Sequence, residues 1–280
     1  MTLDANRRPL APVANHSFWG KLKLELDLRQ PRGAKKRLAQ RVIGSVFSRM
    51  SPSLREIAAT LLERDYEAIS YGRLARWGYR PSTIVDVGAF RGKWSGTARR
   101  IFGAVPTLMI EAQEGLLPNL EKIAAAEDNL LVAQALLGAR DGQEVQFFEM
   151  GTGSSMFPET SNAPRTSDRQ LTQSLDLVVA HHLGPVTNCF MKIDVQGAEL
   201  DVLAGGRSVL SNCSLVQLEL AMLQYNEGAP LLPEVVQWMA AHEWLPIEVS
   251  GFSRPRDRLV QIDMLFAPAK SGLRPSSFHF

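Results

Sequence analysis

Ile84-Val85-Asp86-Val87-Gly88-Ala89-Phe90-Arg91-Gly92 decides the fold. A β-branched apolar run carrying one acid breaks into a turn bounded by two glycines, and a helix near residues 95 to 101 follows. Glycines at such a turn let a ligand approach the backbone closely, and the first turn of the next helix offers unbonded N–H groups. Just upstream, Pro81 forces extended geometry on the chain before it, so a strand over Thr83 to Val87 is predicted.

Outward from this stretch, short apolar runs alternate with helical patterns, as a doubly wound α/β sheet requires. Further strands are predicted over Thr107 to Glu111, Leu130 to Gln134, Cys189 to Asp194, Ser214 to Leu220, Leu245 to Val249 and Leu259 to Phe266. Helices are predicted over Leu116 to Glu127, Glu199 to Leu210 and Pro233 to Glu243. An extra strand over Glu144 to Met150 is expected to pair with residues near Leu131 to Leu136 across the turn Arg140-Asp141-Gly142. Residues 151 to 188, rich in Gly, Ser and Pro at first, read as a long loop, either functional or disordered.

The amino-terminal part has a different character. Residues 1 to 50 carry eleven Lys or Arg against three Asp or Glu, within a chain total of 31 against 29, so the remainder is net acidic. Residues 1 to 18 have no usable periodicity. Leu38, Val42, Ile43 and Phe47 recur at helical spacing beside Lys35, Lys36, Arg37 and Arg41, the pattern of a basic amphipathic helix. The same pattern also suits a helix packed on the main domain. A capping box from Ser53 to Glu56 opens another helix, with Leu54, Ile57, Ala58, Leu61 and Leu62 on one face. A third helix over Tyr66 to Trp77 ends at Gly78. The domain boundary is placed near residue 79, with a basic extension over 1–78, the main domain over 79–270 and a tail over 271–280.

Composition excludes several function classes. No run approaches the ~18 apolar residues of a membrane span, and no secretory leader is apparent, so a cytoplasmic protein is expected. Cys189 and Cys213 sit singly in apolar segments and read as buried thiols, not metal ligands. The five histidines lack metal-site spacing, and the pair His181-His182 reads as a solvated helix end or loop; no metal site is assigned. The basic arm has no interleaved aromatics, which argues against nucleic acid and leaves an anionic membrane surface as its candidate partner over residues 21–49.

Glu111 ends the second strand after Leu108-Met109-Ile110. An acid there, about 20 residues beyond the glycine turn, is placed to accept hydrogen bonds from ribose hydroxyls. Two adenosyl ligand classes use this geometry. Phe90 occupies the place where a dinucleotide fingerprint needs its second glycine, which turns the reading from NAD toward an adenosyl group without pyrophosphate. The cofactor set is then Asp86, Gly88, Ala89, Phe90, Gly92, Glu111 and the adjoining Ala112, with Asp194. Asp86 is expected near the cofactor's amino group.

A second charged element, Met191-Lys192-Ile193-Asp194-Val195-Gln196-Gly197-Ala198-Glu199, lies at another strand tip. Strand alternation puts Lys192 and Asp194 on one face, at the crevice where open α/β sheets bind ligands. These residues, with Asp86-Val87-Gly88-Ala89, Gly92, Val202-Leu203, Val216-Gln217-Leu218-Glu219 and Gln261-Ile262-Asp263-Met264-Leu265-Phe266, resemble the FkbM family of S-adenosylmethionine-dependent methyltransferases. The resemblance covers roughly residues 80 to 267 and departs at Phe90, where many relatives have Asn.

The resemblance implies a Rossmann-like class I methyltransferase fold, a seven-stranded mostly parallel sheet with helices on both faces and an antiparallel last strand. It implies S-adenosyl-L-methionine as cofactor and O-methylation of a sugar, glycolipid or polyketide-type hydroxyl. Asp194 is the first candidate to accept the hydroxyl proton, with Lys192 beside it and Glu219 or a loop histidine behind. The rival readings are a methyltransferase fold kept only for binding a partner, and an NAD-dependent oxidoreductase.

Overall fold

The computed structural model describes residues 34–274. The readings of residues 1–18, of the first part of the basic arm and of the last residues of the tail lie outside them. The described residues divide into two compact units between Ala59 and Thr60.

The first unit holds α1 (Ala34–Arg49) and the start of α2 (Pro52–Arg64). The Arg55 guanidinium ties their junction, donating to the carbonyls of Ser48 and of Met50, the latter at 3.1 Å. The cap of α2 differs from the predicted one. Ser51, two residues earlier than Ser53, accepts from the Leu54 N–H at 3.4 Å. No residue of α2 is buried, and Val42, Ile43 and Val46 on α1 are all more than half exposed.

In the second unit, α3 (Tyr66–Arg76) is followed by β1 (Thr83–Val87), α4 (Lys93–Phe102), β2 (Thr107–Glu111), α5 (Leu117–Ala124), β3 (Leu130–Gln134) and β4 (Leu136–Leu137). Next come β5 (Glu144–Glu149), β6 (Thr166–Gln173), α6 (Leu175–His182), β7 (Cys189–Ile193), α7 (Glu199–Gly205) and α8 (Arg207–Ser211). The chain ends with β8 (Cys213–Ala221), α9 (Leu232–Ala241), β9 (Trp244–Ser253) and β10 (Gln261–Pro268). Seven strands form one sheet in the order β3-β2-β1-β7-β8-β10-β9. All its pairings are parallel except those of β10, which runs antiparallel to β8 and β9. The expected sheet is therefore present, antiparallel strand included.

Every residue of β1, β2 and β7 is buried, which is why these strands appear in sequence as unbroken apolar runs. Alternate residues feed two cores. Val85, Val87, Met191, Ile193, Val216 and Leu218 face one, under α6, α7 and α9. Ile84, Phe190, Leu215 and Leu265 face the other, where Tyr71 and Leu74 of α3 meet Trp94 and Phe102 of α4. Tyr71 lies edge-on to Phe190 at 5.4 Å, and its hydroxyl accepts from the Trp94 indole and donates to Gln217. α3, read from sequence as part of the extension, is thus packed into the sheet's core.

Local pattern misjudged the β5 hairpin. β5 pairs antiparallel with β6, inside the segment read as a loop, and β4 pairs parallel with β6 to make a small three-stranded sheet. The partner was chosen by a long-range contact, since nothing in the spacing of Leu131 to Leu136 distinguishes it. The predicted helix over Glu199 to Leu210 breaks at Gly206 into α7 and α8. A Cβ on Gly206 would lie 2.6 Å from Leu175 Cδ2, so the break lets α6 approach. His181 and His182 form the last turn of α6.

Candidate functional site

Strand order reverses between β1 and β7, so their carboxyl ends open a crevice between diverging helices. The two tips touch. Asp194 N donates to the Val87 carbonyl at 3.0 Å. Gly88 has φ +75, and a Cβ built on it would lie 1.9 Å from the Asp194 carbonyl oxygen. Only glycine lets these tips meet. Gly92, with φ +70, ends the turn and starts α4; a Cβ there would press on Met109 Sδ at 3.1 Å.

Phe90, between them, also has a positive φ of 49°. Glu111 holds this strained turn, because its Oε2 accepts the Phe90 N–H at 2.8 Å while its Oε1 accepts the Gln113 N–H at 2.9 Å. Gln113 Nε2 also donates to Oε1, at 3.2 Å, so Oε2 is the oxygen with a lone pair left for a ligand hydroxyl. Burial pushes the Glu111 pKa up, against those backbone hydrogen bonds.

A cavity of about 580 Å³ runs from this turn to the tips of β7, β8 and β10. At one end it is lined by Gly88, Ala89, Phe90, Glu111, Ala112, Gln113 and the 150–156 segment, and at the other by Glu67, Trp94, Lys192, Asp194, Glu219 and Asp263. The predicted site residues Gly88, Ala89, Phe90, Glu111, Ala112, Lys192, Asp194 and Glu219 are thus on one wall system. Asp86 and Gly92 are not on it. Asp86 is fully buried beneath the turn, its Oδ2 accepting from Ser95 at 2.7 Å and its Oδ1 without a partner. None of His181, His182 and His242 lines the cavity.

Lys192 Nζ donates to Asp194 Oδ2 at 2.8 Å, the pair that strand alternation suggested. Burial works against the ammonium, but Asp194, Asp86 and Asp263 outweigh it and hold the Lys192 pKa above its ordinary value. Gln196 donates both to Asp194 Oδ1, at 3.2 Å, and to Glu219 Oε1, which Gln261 also reaches. Glu199 turns inward, where its Oε1 accepts the N–H groups of Val195 at 3.3 Å and Gly197 at 3.1 Å. It is a staple for the β7–α7 turn, with a pKa that burial raises to about 7.

Two carboxyls to which the sequence reading gave no site role also reach the cavity. Glu67 reaches the cavity from α3, held by Tyr71 and by Gln217 Nε2, each at 3.2 Å. Asp263 reaches it from β10, where its Oδ2 lies so close to Gly251 that a Cβ there would be 2.0 Å away. Burial, then the neighbouring Asp194, pushes Asp263 to about 7, and burial followed by Asp194 and Asp263 pushes Glu219 well above the carboxylate range. The period-2 register of β10 carried a usable signal for Asp263, an acid flanked by apolar Ile262 and Met264. α3 offered none for Glu67, one of many helical acids.

A seven-stranded sheet with one antiparallel strand, a glycine turn braced by the acid of the second strand, and a charged strand tip across the crevice define the Rossmann-like methyltransferase class. The model of the methyltransferase FkbM domain matches residues 86–244, more than half of the chain, and the protein belongs to that family. No curated protein matches its sequence significantly. Among solved structures it is similar to the 1,6-didemethyltoxoflavin-N1-methyltransferase of Burkholderia thailandensis (13% identity, 96% of this chain and 99% of that one, TM-score 0.43). It is also similar to the magnesium protoporphyrin IX methyltransferase of Synechocystis (9% identity, 78% and 85%, TM-score 0.43) and to TrmK of M. capricolum (10% identity, 73% and 68%, TM-score 0.41). At these values the likeness assigns no residue and no acceptor.

Proposed function

We propose that this chain transfers the methyl group of S-adenosylmethionine to a hydroxyl of a sugar, glycolipid or polyketide-type acceptor. The observation that carries this reading is the single cavity joining the Glu111-braced turn to the Lys192–Asp194 pair. The residues fit the cofactor. The volume is within the roughly 300–1,000 Å³ of small-molecule sites, Glu111 keeps a lone pair on Oε2 for a ribose hydroxyl, and Phe90 stands where a dinucleotide-binding turn has its second glycine. The last point also weighs against an NAD-dependent oxidoreductase.

When bound, the cofactor supplies an electrophilic sulfonium methyl. The chain's own task is alignment, for which orientation is worth about 10⁵–10⁸ M of effective concentration and a general base about 10²–10⁴-fold. Asp194 is fixed for the base role by Lys192 on one oxygen and Gln196 on the other. Asp263, lining the same end and titrating near 7, is a second proton acceptor matched to neutral pH. The test is transfer of labelled methyl from S-adenosylmethionine into glycan and small-molecule extracts. Binding of the cofactor with no transfer to any acceptor would favour the rival, a fold kept for partner binding.

The protein acts in the cytoplasm, with residues 21–49 resting on the anionic inner membrane surface. Among the described residues no helix is long and apolar enough to cross a membrane. Support comes from the exposed Val42, Ile43, Val46 and Phe47 on a helix that also carries Arg37, Arg41 and Arg49. Each basic residue near such a surface contributes about 1 kcal/mol, lost with salt. The full chain should pellet with phosphatidylserine vesicles and a chain lacking residues 1–50 should not; cosedimentation of neither removes the membrane role.

A further inference from the structure

The cofactor that the site fits ends in an amino acid, with an ammonium and a carboxylate on one carbon, and the residue expected to meet that ammonium is out of reach. Asp86 is fully buried, and its one unpartnered oxygen, Oδ1, is sealed beneath the turn. A cation with several N–H donors still needs an acceptor on the cavity wall. The carboxyls there differ in how far they are already engaged. Asp194 serves Lys192 on one oxygen and Gln196 on the other. Glu219 takes Gln196 and Gln261 on Oε1, and burial holds both Glu219 and Asp263 toward the protonated form.

Glu67 is built differently. Its Oε1 is pinned between the Tyr71 hydroxyl and Gln217 Nε2, each at 3.2 Å, and the same hydroxyl accepts from the Trp94 indole, which ties α3 to α4. Oε2 makes no hydrogen bond, yet it is not among the sealed oxygens, so it keeps accessible surface on a residue that lines the cavity. Pinning one oxygen orients the other before a ligand arrives, which spares the ordering of a mobile side chain. Burial raises the Glu67 pKa, against the pull of Gln217, Lys192 and Tyr71, and an ammonium at Oε2 would draw it back toward the ionised form. The same cavity supplies the opposite pole. Arg91 and Lys93, on either side of Gly92 where α4 starts, line it, and neither has an ion-pair partner among the described residues.

We infer that Glu67 Oε2 receives the α-ammonium of the bound cofactor, in the role expected of Asp86, with Arg91 and Lys93 facing the cofactor's carboxylate. This inference rests on the methyltransferase reading. It adds a cofactor contact from α3, a helix that lies outside the residues 86–244 matched by the FkbM domain.

The experiment is calorimetry on the full chain with ligands that share the adenosine: S-adenosylhomocysteine, its analogue lacking the amino group, and 5′-methylthioadenosine, which lacks the whole amino acid. The parent should bind S-adenosylhomocysteine about tenfold or more tightly than the desamino analogue, the size of one charge-assisted hydrogen bond. Glu67→Gln is close to isosteric, and its amide oxygen can keep both contacts of Oε1. It should bind S-adenosylhomocysteine about tenfold or more weakly than the parent does. Its affinity for the other two ligands should change by less than about twofold, because the interaction that the variant loses is already absent from them. If Glu67→Gln does not fold, Glu67→Asp, which keeps the charge and withdraws it by one methylene, must show the same selective loss. The inference is overturned if the parent does not distinguish S-adenosylhomocysteine from the desamino analogue. It is overturned too if Glu67→Gln binds S-adenosylhomocysteine like the parent, which would leave Glu67 to the methyl acceptor, or if all three ligands weaken alike, the mark of a structural role. Failure of the parent to bind any of the three would strike the methyltransferase reading itself.

Discussion

Replacing Gly88 by alanine tests whether the two strand tips really form one unit. The new Cβ would lie 1.9 Å from the Asp194 carbonyl oxygen, whereas a carbon and an oxygen not bonded to one another stay about 3.3 Å apart or more. The tips of β1 and β7 must then separate by more than about 1 Å. That breaks the 3.0 Å bond from Asp194 N to the Val87 carbonyl, worth about 1 kcal/mol net, and alanine at φ +75 adds about 1–2 kcal/mol. A loss of about 2–3 kcal/mol lowers the melting temperature by about 4–12 °C in a domain of this size. Because a misplacement of about 1 Å costs ~10²-fold in rate, methyl transfer should suffer more than stability does. The control lies eight residues on. Gly96 is exposed, helical and has nothing within 4 Å of a built Cβ, so Gly96→Ala should stabilise by up to about 1 kcal/mol. Differential scanning calorimetry and titration with S-adenosylhomocysteine read both variants. If Gly88→Ala melts within about 1 °C of the parent and binds S-adenosylhomocysteine equally well, the close approach of the tips is not what shapes the site.

Glu111→Ala should weaken S-adenosylhomocysteine binding by about 1–3 kcal/mol, since it removes the ribose acceptor and orphans the N–H groups of Phe90 and Gln113; unchanged affinity by calorimetry would remove Glu111 from the cofactor site. Asp194→Asn should keep the fold and most cofactor affinity while turnover falls by about 10² or more, because an amide holds hydrogen bonds but takes no proton; a parental kcat would return Asp194 to a structural role. Asp263 titrates near 7 when folded and near its ordinary ~3.9 when unfolded, so the unfolded state releases its proton first and stability falls as pH rises from about 4 to 7. Asp263→Asn should flatten that fall in urea titrations across the window, and a slope identical to the parent's would show that Asp263 ionises normally. Deleting residues 1–50 should leave S-adenosylhomocysteine affinity intact; its loss would mean that the amino-terminal helices belong to the cofactor fold.

Reading the sequence worked where structure is dictated locally. The bounds of β1 and β2 follow from apolar runs because strands buried on both faces admit almost no polar residue. The pairing of Lys192 with Asp194 follows from the two-residue repeat of a strand, whereas the bracing of the turn by Glu111 was not read from the sequence and emerges from the packing of β2 beside β1. Chemistry borne on the strand tips was therefore legible from the glycines and the acids alone.

What remained hidden depends on contacts between distant parts of the chain. Spacing near Leu131 to Leu136 gave no hint that β5 would take β6 as its partner, because hairpin signals describe turns and not competing strands. Glu67 joins the site through Gln217, 150 positions away, and becomes unusual only once α3 buries it against the sheet. Asn226 and Glu159 look like ordinary loop residues until the bridge between their two segments brings both to the lining of the cavity. Sequence by itself determined the sheet, its family and the class of cofactor. The tertiary structure decided how the far end of the cavity is built, because burial and shifted carboxyl pKa values are properties of packed neighbours, and no residue carries them alone.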